Sequence, residues 1–284
     1  MDNEHTELDQ LIFFNTLQSE CSDNYVVLKK YSSLDSVATC LSNTNVKALK
    51  RGGGAVRVVE SREDMDDITL QKSVQRSRRT IKDRCKSMGA DRLLTLTTRA
   101  DITNLDEFWA LFDSFRRLLK KRLKRSSNSF SYVAVPELHK NGSYHFHLAI
   151  SGFYDVYLLR SCWRFVLKKR GYTFYNEKKC VIQGDGNVDI TDPKRYKRSR
   201  KASTPSSIAS YIAKYLSKDL AVLFNKKRFA SSRGIPKPIV HRAFLERGAP
   251  LVYALTTAIR AFSHAPVQTV SEFDAFVYIT QVST

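Results

Sequence analysis

The residues best spaced to do chemistry are two histidines in YHFHLAI (144–150) and two tyrosines in SIASYIAKYLSK (207–218). A β-strand repeats every two residues, so His145 and His147 project from one face while Tyr144, Phe146 and Leu148 project from the other. Two imidazoles on one face can hold a divalent metal. The plainer reading is a chance pair on a solvated face, because a histidine-x-histidine pair is common in unrelated proteins. Burying such a pair without partners would be costly.

The turn ahead of this strand bears on a third ligand. If Lys140, Asn141 and Gly142 form a three-residue loop, Gly142 takes a left-handed bulge position and His139 lies opposite Ser143. Glu137 then lies opposite His145, and directly opposed residues share a face. Glu137, His145 and His147 would converge as two histidines and a carboxylate, a set suited to Mg²⁺ or Mn²⁺ with positions left for a phosphate oxygen. A two-residue Asn-Gly turn would instead put Glu137 opposite Phe146, on the wrong side. His139 is the competing ligand, a solvent-facing Glu137 stays open, and Pro136 warns of an edge strand or bulge.

Tyr211 and Tyr215 stand at i and i+4, about 40° apart around a helix. Lys214 and Lys218 flank them on that stripe, and Ala209, Ile212, Ala213, Leu216 and Leu220 form an apolar face opposite. Amphipathic surface tyrosines are the bland account of such a pair. The chemical account is nucleophilic. A phenol has a pKa near about 10, so its attack on a phosphodiester needs deprotonation and an activated electrophile. A divalent cation activates the phosphate, and Lys214 can stabilise phenolate or transition-state charge.

Taken in order, LLTLTTR (93–99), YHFHLAI and YIAKYLSK resemble the three motifs of rolling-circle replication initiators of the HUH endonuclease superfamily. The two-tyrosine form is similar to initiators of small circular single-stranded DNA phages, and the resemblance covers roughly residues 90–222. It implies that the second motif binds metal and the third supplies the nucleophile. It also implies nicking of single-stranded origin DNA, a 5′-phosphotyrosyl link with a free 3′-OH, and strand transfer. Each tyrosine would be able to form the adduct. The encoding element, phage, plasmid or other, is not specified by these motifs.

Charge agrees with a nucleic-acid partner. The formal net charge is +19, and basic residues come in runs: Arg76 to Arg84, RRLLKKRLKR at 116–125, KRYKRSRK at 194–201, and Lys226 to Arg228. With 13 Tyr, 16 Phe and 2 Trp, such runs favour a polyphosphate ligand. Arg195, Lys197, Arg198 and Arg200, with Lys218, are the expected DNA-backbone contacts. No apolar run approaches the ~20 residues of a membrane span. The first 28 residues contain no Lys or Arg, unlike a secretory leader, and five cysteines include no C-x-x-C pair. Reduced thiols in the cytoplasm of a bacterial host are the expectation. RGGGAVR is not a P-loop, so a helicase and polymerase would come from the host.

The elements that must position these groups are legible by period. A basic helix is expected over 67–87, a buried strand at 92–99, and a helix after Asn104 as cap. Two strands follow around the Lys-Asn-Gly turn, then a helix over 156–171 ended by Gly171, a strand at 186–191, and a helix over 207–224. This order predicts an α+β fold: an antiparallel sheet with helices packed mainly on one face, of HUH/RRM-like type. Periodicity is weak in 1–66 apart from a short helical pattern at 8–17, which divides the chain into an accessory region at 1–66, the endonuclease domain at 67–224, and a second accessory region at 225–284. Two alternatives stay open: a noncatalytic single-strand-binding or regulatory protein, and a metallohydrolase that activates water.

Overall fold

A computed structural model describes residues 24–32, 36–42, 67–123, 129–139, 141–172, 174–175, 181–182, 186–191, 205–216, 227–244, 267–273 and 276–281. In chain order the elements are β1 (Asn24–Lys30), β2 (Ser36–Ser42), α1 (Asp67–Ser87), β3 (Arg92–Leu96) and α2 (Leu105–Leu123). Then come β4 (Tyr132–Leu138), β5 (Tyr144–Ile150), α3 (Val156–Lys169), β6 (Phe174–Tyr175), β7 (Val181–Ile182) and β8 (Val188–Ile190). The last are α4 (Pro205–Tyr215), β9 (Ala230–Ser231), β10 (Ile239–Phe244), β11 (Val267–Phe273) and β12 (Phe276–Gln281). The 8–17 pattern, the 194–201 run and the end of the 207–224 helix lie outside the described residues.

Two units divide the chain, one spanning 59–236 and the other combining 1–58 with 237–284. In the second, strands from both flanks form one antiparallel sheet of order β10-β1-β2-β12-β11. The flanks set apart in the sequence at 1–66 and 225–284 thus contribute to a common sheet. Its strands are obscure in sequence because β1 and β2 find partners far along the chain.

The 59–236 unit is built on an antiparallel sheet of order β8-β3-β5-β4-β9. Alternation along the strands gives it two unlike faces. Leu94, Leu96, Ala134, Phe146, Leu148 and Ile150 point to one side, where α2 and α3 close a large core. Phe108, Phe112 and Phe115 supply α2's stripe, and Phe108 stacks on Phe146 with centroids 4.3 Å apart. Helix α2 starts where expected: Asn104 Oδ1 accepts from the backbone N–H of Asp106 at 2.9 Å and of Glu107 at 3.2 Å. Asp155 caps α3 likewise by accepting from Tyr157 N–H, and Gly171, with φ 83°, takes the left-handed turn that ends it.

On the other face stand Val133, Val135 and Ala149, and there α1 and α4 pack. Helices therefore cover both faces, where the sequence reading places them mainly on one. The physical reason is a second, smaller apolar strip at alternate positions of β4 and β5. Val74, Ile81 and Cys85 of α1, with Ile208, Ala209, Ile212 and Ala213 of α4, need that strip to be buried. Among the described residues no helix is long and apolar enough to cross a membrane.

Candidate active site

The hairpin register decides which side chains meet. His139 N–H donates to Ser143 O at 2.8 Å, and Gly142 N–H to His139 O at 2.9 Å, with Gly142 at φ 84°. A side chain would be strained at that φ. Pairing then runs Glu137↔His145 and Val135↔His147, the register of the three-residue loop, and Pro136 is accommodated within β4 opposite Phe146. Across the sheet Thr95 of β3 faces His147. Glu137, His145, His147 and Thr95 thus share the face that carries α4.

The three chelating side chains converge on a point. His147 Nε2 lies 2.8 Å from Glu137 Oε2 and 2.8 Å from His145 Nε2, and His145 Nε2 lies 2.9 Å from Glu137 Oε2. Adjacent donors of an octahedral shell with bonds of about 2.0–2.1 Å are separated by about 2.8–3.0 Å, so the triangle has the dimensions of one octahedral face. Glu137, His145 and His147 could therefore hold a metal ion. Both histidines are buried. Burial, then the neighbouring His147 and His139 rings, push the His145 pKa down to about 4 against the pull of Glu137, which keeps its imidazole neutral and its lone pair available.

His139 stands behind this triangle. Its ring stacks on His145 with centroids 3.9 Å apart, and it is not a corner of the cluster. Thr95 is a site residue that the sequence reading misses. Its Oγ1 lies 3.4 Å from His147 Nδ1, the ring nitrogen that faces away from the cluster. The signal exists: alternation in LLTLTTR places Thr95 on the histidine face once β3 is known to neighbour β5.

Helix α4 brings the tyrosines over the same place. Its small residues Ala209 and Ala213 let it lie close over Val133, Val135 and Ala149, where the sheet face is apolar. The face turns polar toward Glu137 and His145, and the tyrosines meet it at the boundary. Tyr215 stacks on His147 with centroids 4.2 Å apart and planes at 13°. Tyr211 approaches the same imidazole edge-on at 6.1 Å, and the two phenol rings are 5.1 Å apart.

Residues 91–220 match the family model of the replication-associated protein of ORF2 type. No curated protein matches the chain. The matched segment contains the His-His-Glu triad and both tyrosines, and its bounds are close to those of the resemblance read from the three motifs.

Within this replication-associated segment the two tyrosines are not equivalent. Tyr211 is 44% exposed and Tyr215 only 9%. The sequence pattern puts both phenols off the apolar stripe. Tyr215 instead joins the core of α1, α4 and the sheet, because the flat ring of His147 offers it a stacking partner. Burial, a hydrogen bond with Tyr211 and the negative charge of Glu137 hold its pKa well above the ordinary phenol value. Lys214, between the tyrosines in sequence, is exposed. Lys218, Arg195, Lys197, Arg198 and Arg200 lie outside the described residues.

Proposed function

We propose that this protein is a rolling-circle replication initiator that nicks single-stranded origin DNA with a tyrosine nucleophile and then transfers the strand. The observation that carries this reading is the stacking of Tyr215, with Tyr211 beside it, on an imidazole that is itself a corner of the Glu137, His145, His147 triangle. A structural histidine pair would not need two phenols aimed at it.

Glu137, His145 and His147 would hold the divalent ion, Mg²⁺ or Mn²⁺. Bound there, that ion supplies charge that polarises the scissile phosphate and favours the phenolate. The protein's own groups do the rest. A tyrosine Oη attacks phosphorus, an Oη–P bond forms, and the P–O3′ bond breaks in line. The phenol proton is lost, and the departing 3′ oxygen takes up a proton from solvent. One phosphoester replaces another, so a later 3′-OH can reverse the step and rejoin DNA. Lys214 is placed on α4 to stabilise the charge that develops on phosphate. With Tyr211 holding a DNA end, Tyr215 is a second nucleophile within the same site, as a single round of rolling-circle replication requires. Arg195, Lys197, Arg198, Arg200 and Lys218 serve the strand's backbone in this proposal, and unwinding and synthesis fall to a helicase and polymerase of the host cytoplasm.

The test is covalent. Labelled single-stranded oligonucleotides tiling the encoding element are incubated with protein and Mg²⁺ or Mn²⁺, then run on a denaturing gel. A protein–DNA adduct and a shortened free strand are expected, and both disappear in the Tyr211→Phe/Tyr215→Phe protein. Binding without any adduct would reduce the protein to a single-strand-binding module. Metal-dependent cleavage that survives the double substitution would assign it to water-activating hydrolysis.

A further inference from the structure

The sheet face away from the tyrosines carries a second feature that the nicking chemistry does not use. Helix α3 packs there through Leu159, Cys162, Trp163, Val166 and Leu167. Its opposite side ought to be an ordinary charged surface. Instead Tyr157 is 75% exposed and Phe165 is 52% exposed, two turns apart on that outer side. Four cations surround them. Arg122 of α2 with Arg160, Arg164 and Lys168 of α3 line, together with the two rings, a concavity of about 370 Å³.

No acidic side chain lines this concavity, and α3 itself contains none. Arg122 is held in place by donating to Ser161 Oγ at 2.6 Å, and Arg160 by donating to Val188 O at 3.3 Å. Arg164 and Lys168 have no ion pair or hydrogen-bond partner among the described side chains. Two solvent-facing rings bracketed by four unneutralised cations are a poor surface for water and a good one for a ligand with both flat apolar faces and phosphates.

We propose that this face of α3 is a second DNA-binding surface, specific for single strands, in which bases stack on Tyr157 and Phe165 and phosphates meet Arg122, Arg160, Arg164 and Lys168. It rests on the DNA-processing reading above and adds to it a site for strand held apart from the reacting phosphate. Duplex DNA offers the same phosphates but hides its base faces, so the exposed rings select the unpaired form. The rings lie about 12 Å apart along the helix axis, far enough to take separate bases.

The test uses Tyr157→Trp in the full chain, with EDTA present. Trp109 and Trp163 are buried and provide a constant background. The probe is an oligothymidylate of about 20 nucleotides, long enough for a site of this class. Saturable quenching of the new tryptophan is expected, with much weaker quenching by duplex of equal length. Tyr157→Ala/Phe165→Ala should weaken oligothymidylate binding at least about 5-fold. Arg164→Gln/Lys168→Gln should lower the slope of log affinity against log salt by about 1.4. Absent quenching, equal quenching by duplex, or an affinity unchanged in the double-alanine protein would overturn the proposal. The two readings fail separately. Tyr157→Trp placed in the Tyr211→Phe/Tyr215→Phe protein should still be quenched although no adduct forms, whereas adduct formation without quenching sinks this surface alone.

Discussion

Substitutions at Tyr215 should separate its packing from its chemistry. Phe keeps the ring that stacks on His147 and removes only the hydroxyl bonded to Tyr211. Loss of one such hydrogen bond is worth about 0.5–1.5 kcal/mol. Ala removes a ring that is only 9% exposed, a change of about 3–5 kcal/mol by analogy with other buried aromatics. A unit the size of 59–236 shifts its Tm by about 2–4 °C per kcal/mol. Tyr215→Phe should therefore lower Tm by about 1–6 °C and Tyr215→Ala by about 6–20 °C. Tyr211, 44% exposed, should tolerate Ala with a far smaller loss. The same proteins are then trapped with DNA and the adducts mapped by peptide. Each single Phe variant should retain an adduct on the remaining tyrosine, and the wild type should carry most of its first adduct on Tyr211, which can reach a phosphate without leaving a stacked position. Equal Tm losses for Phe and Ala at Tyr215 would refute the stacking argument. A wild-type adduct found only on Tyr215 would refute the assigned order, and failure of Tyr211→Phe to form any adduct would remove alternation.

Isothermal titration with Mn²⁺ should rank the hairpin residues. Glu137→Ala should lose more than about 100-fold in affinity and His139→Ala no more than about 10-fold, since His139 only backs His145. The reverse ranking would make His139 a ligand. His145, with a folded pKa of about 4 against an ordinary 6.5, binds its proton more readily when unfolded. Stability of the metal-free protein should therefore fall as pH drops from about 6.5 toward about 4, and His145→Gln should flatten that slope in thermal melts. Identical slopes would mean the imidazole is not desolvated. Gly186→Ala would place a Cβ 2.5 Å from Leu167 Cδ1 and from Trp163 Nε1, which donates to Thr97 O at 2.8 Å. A loss of about 1–3 kcal/mol in urea unfolding is expected, and an unchanged midpoint would show that the loop yields freely.

Local rules carry much of this protein into view from its sequence. A period of two puts His145 and His147 together, a Lys-Asn-Gly loop with its left-handed glycine offers the register that adds Glu137, and Asn104 marks the start of α2. Each depends on backbone geometry within a few residues, which is why it can be read without a partner. The spacing of Tyr211 and Tyr215 is equally plain.

What those residues face is another matter. That α1 and α4 cover the second side of the sheet follows from the strip of Val133, Val135 and Ala149 finding Ile208, Ala209, Ile212 and Ala213 across a long sequence separation. The stacking of Tyr215 on His147 and the exposure of Tyr211 depend on that docking, and the place of Thr95 behind His147 depends on β3 pairing with β5. The pairing of β1 and β2 with β10 and β12 is just as remote in sequence. Periodicity declares that a face must be covered. Only packing among elements distant in sequence chooses the cover, and here that choice turns two like tyrosines into two different ones.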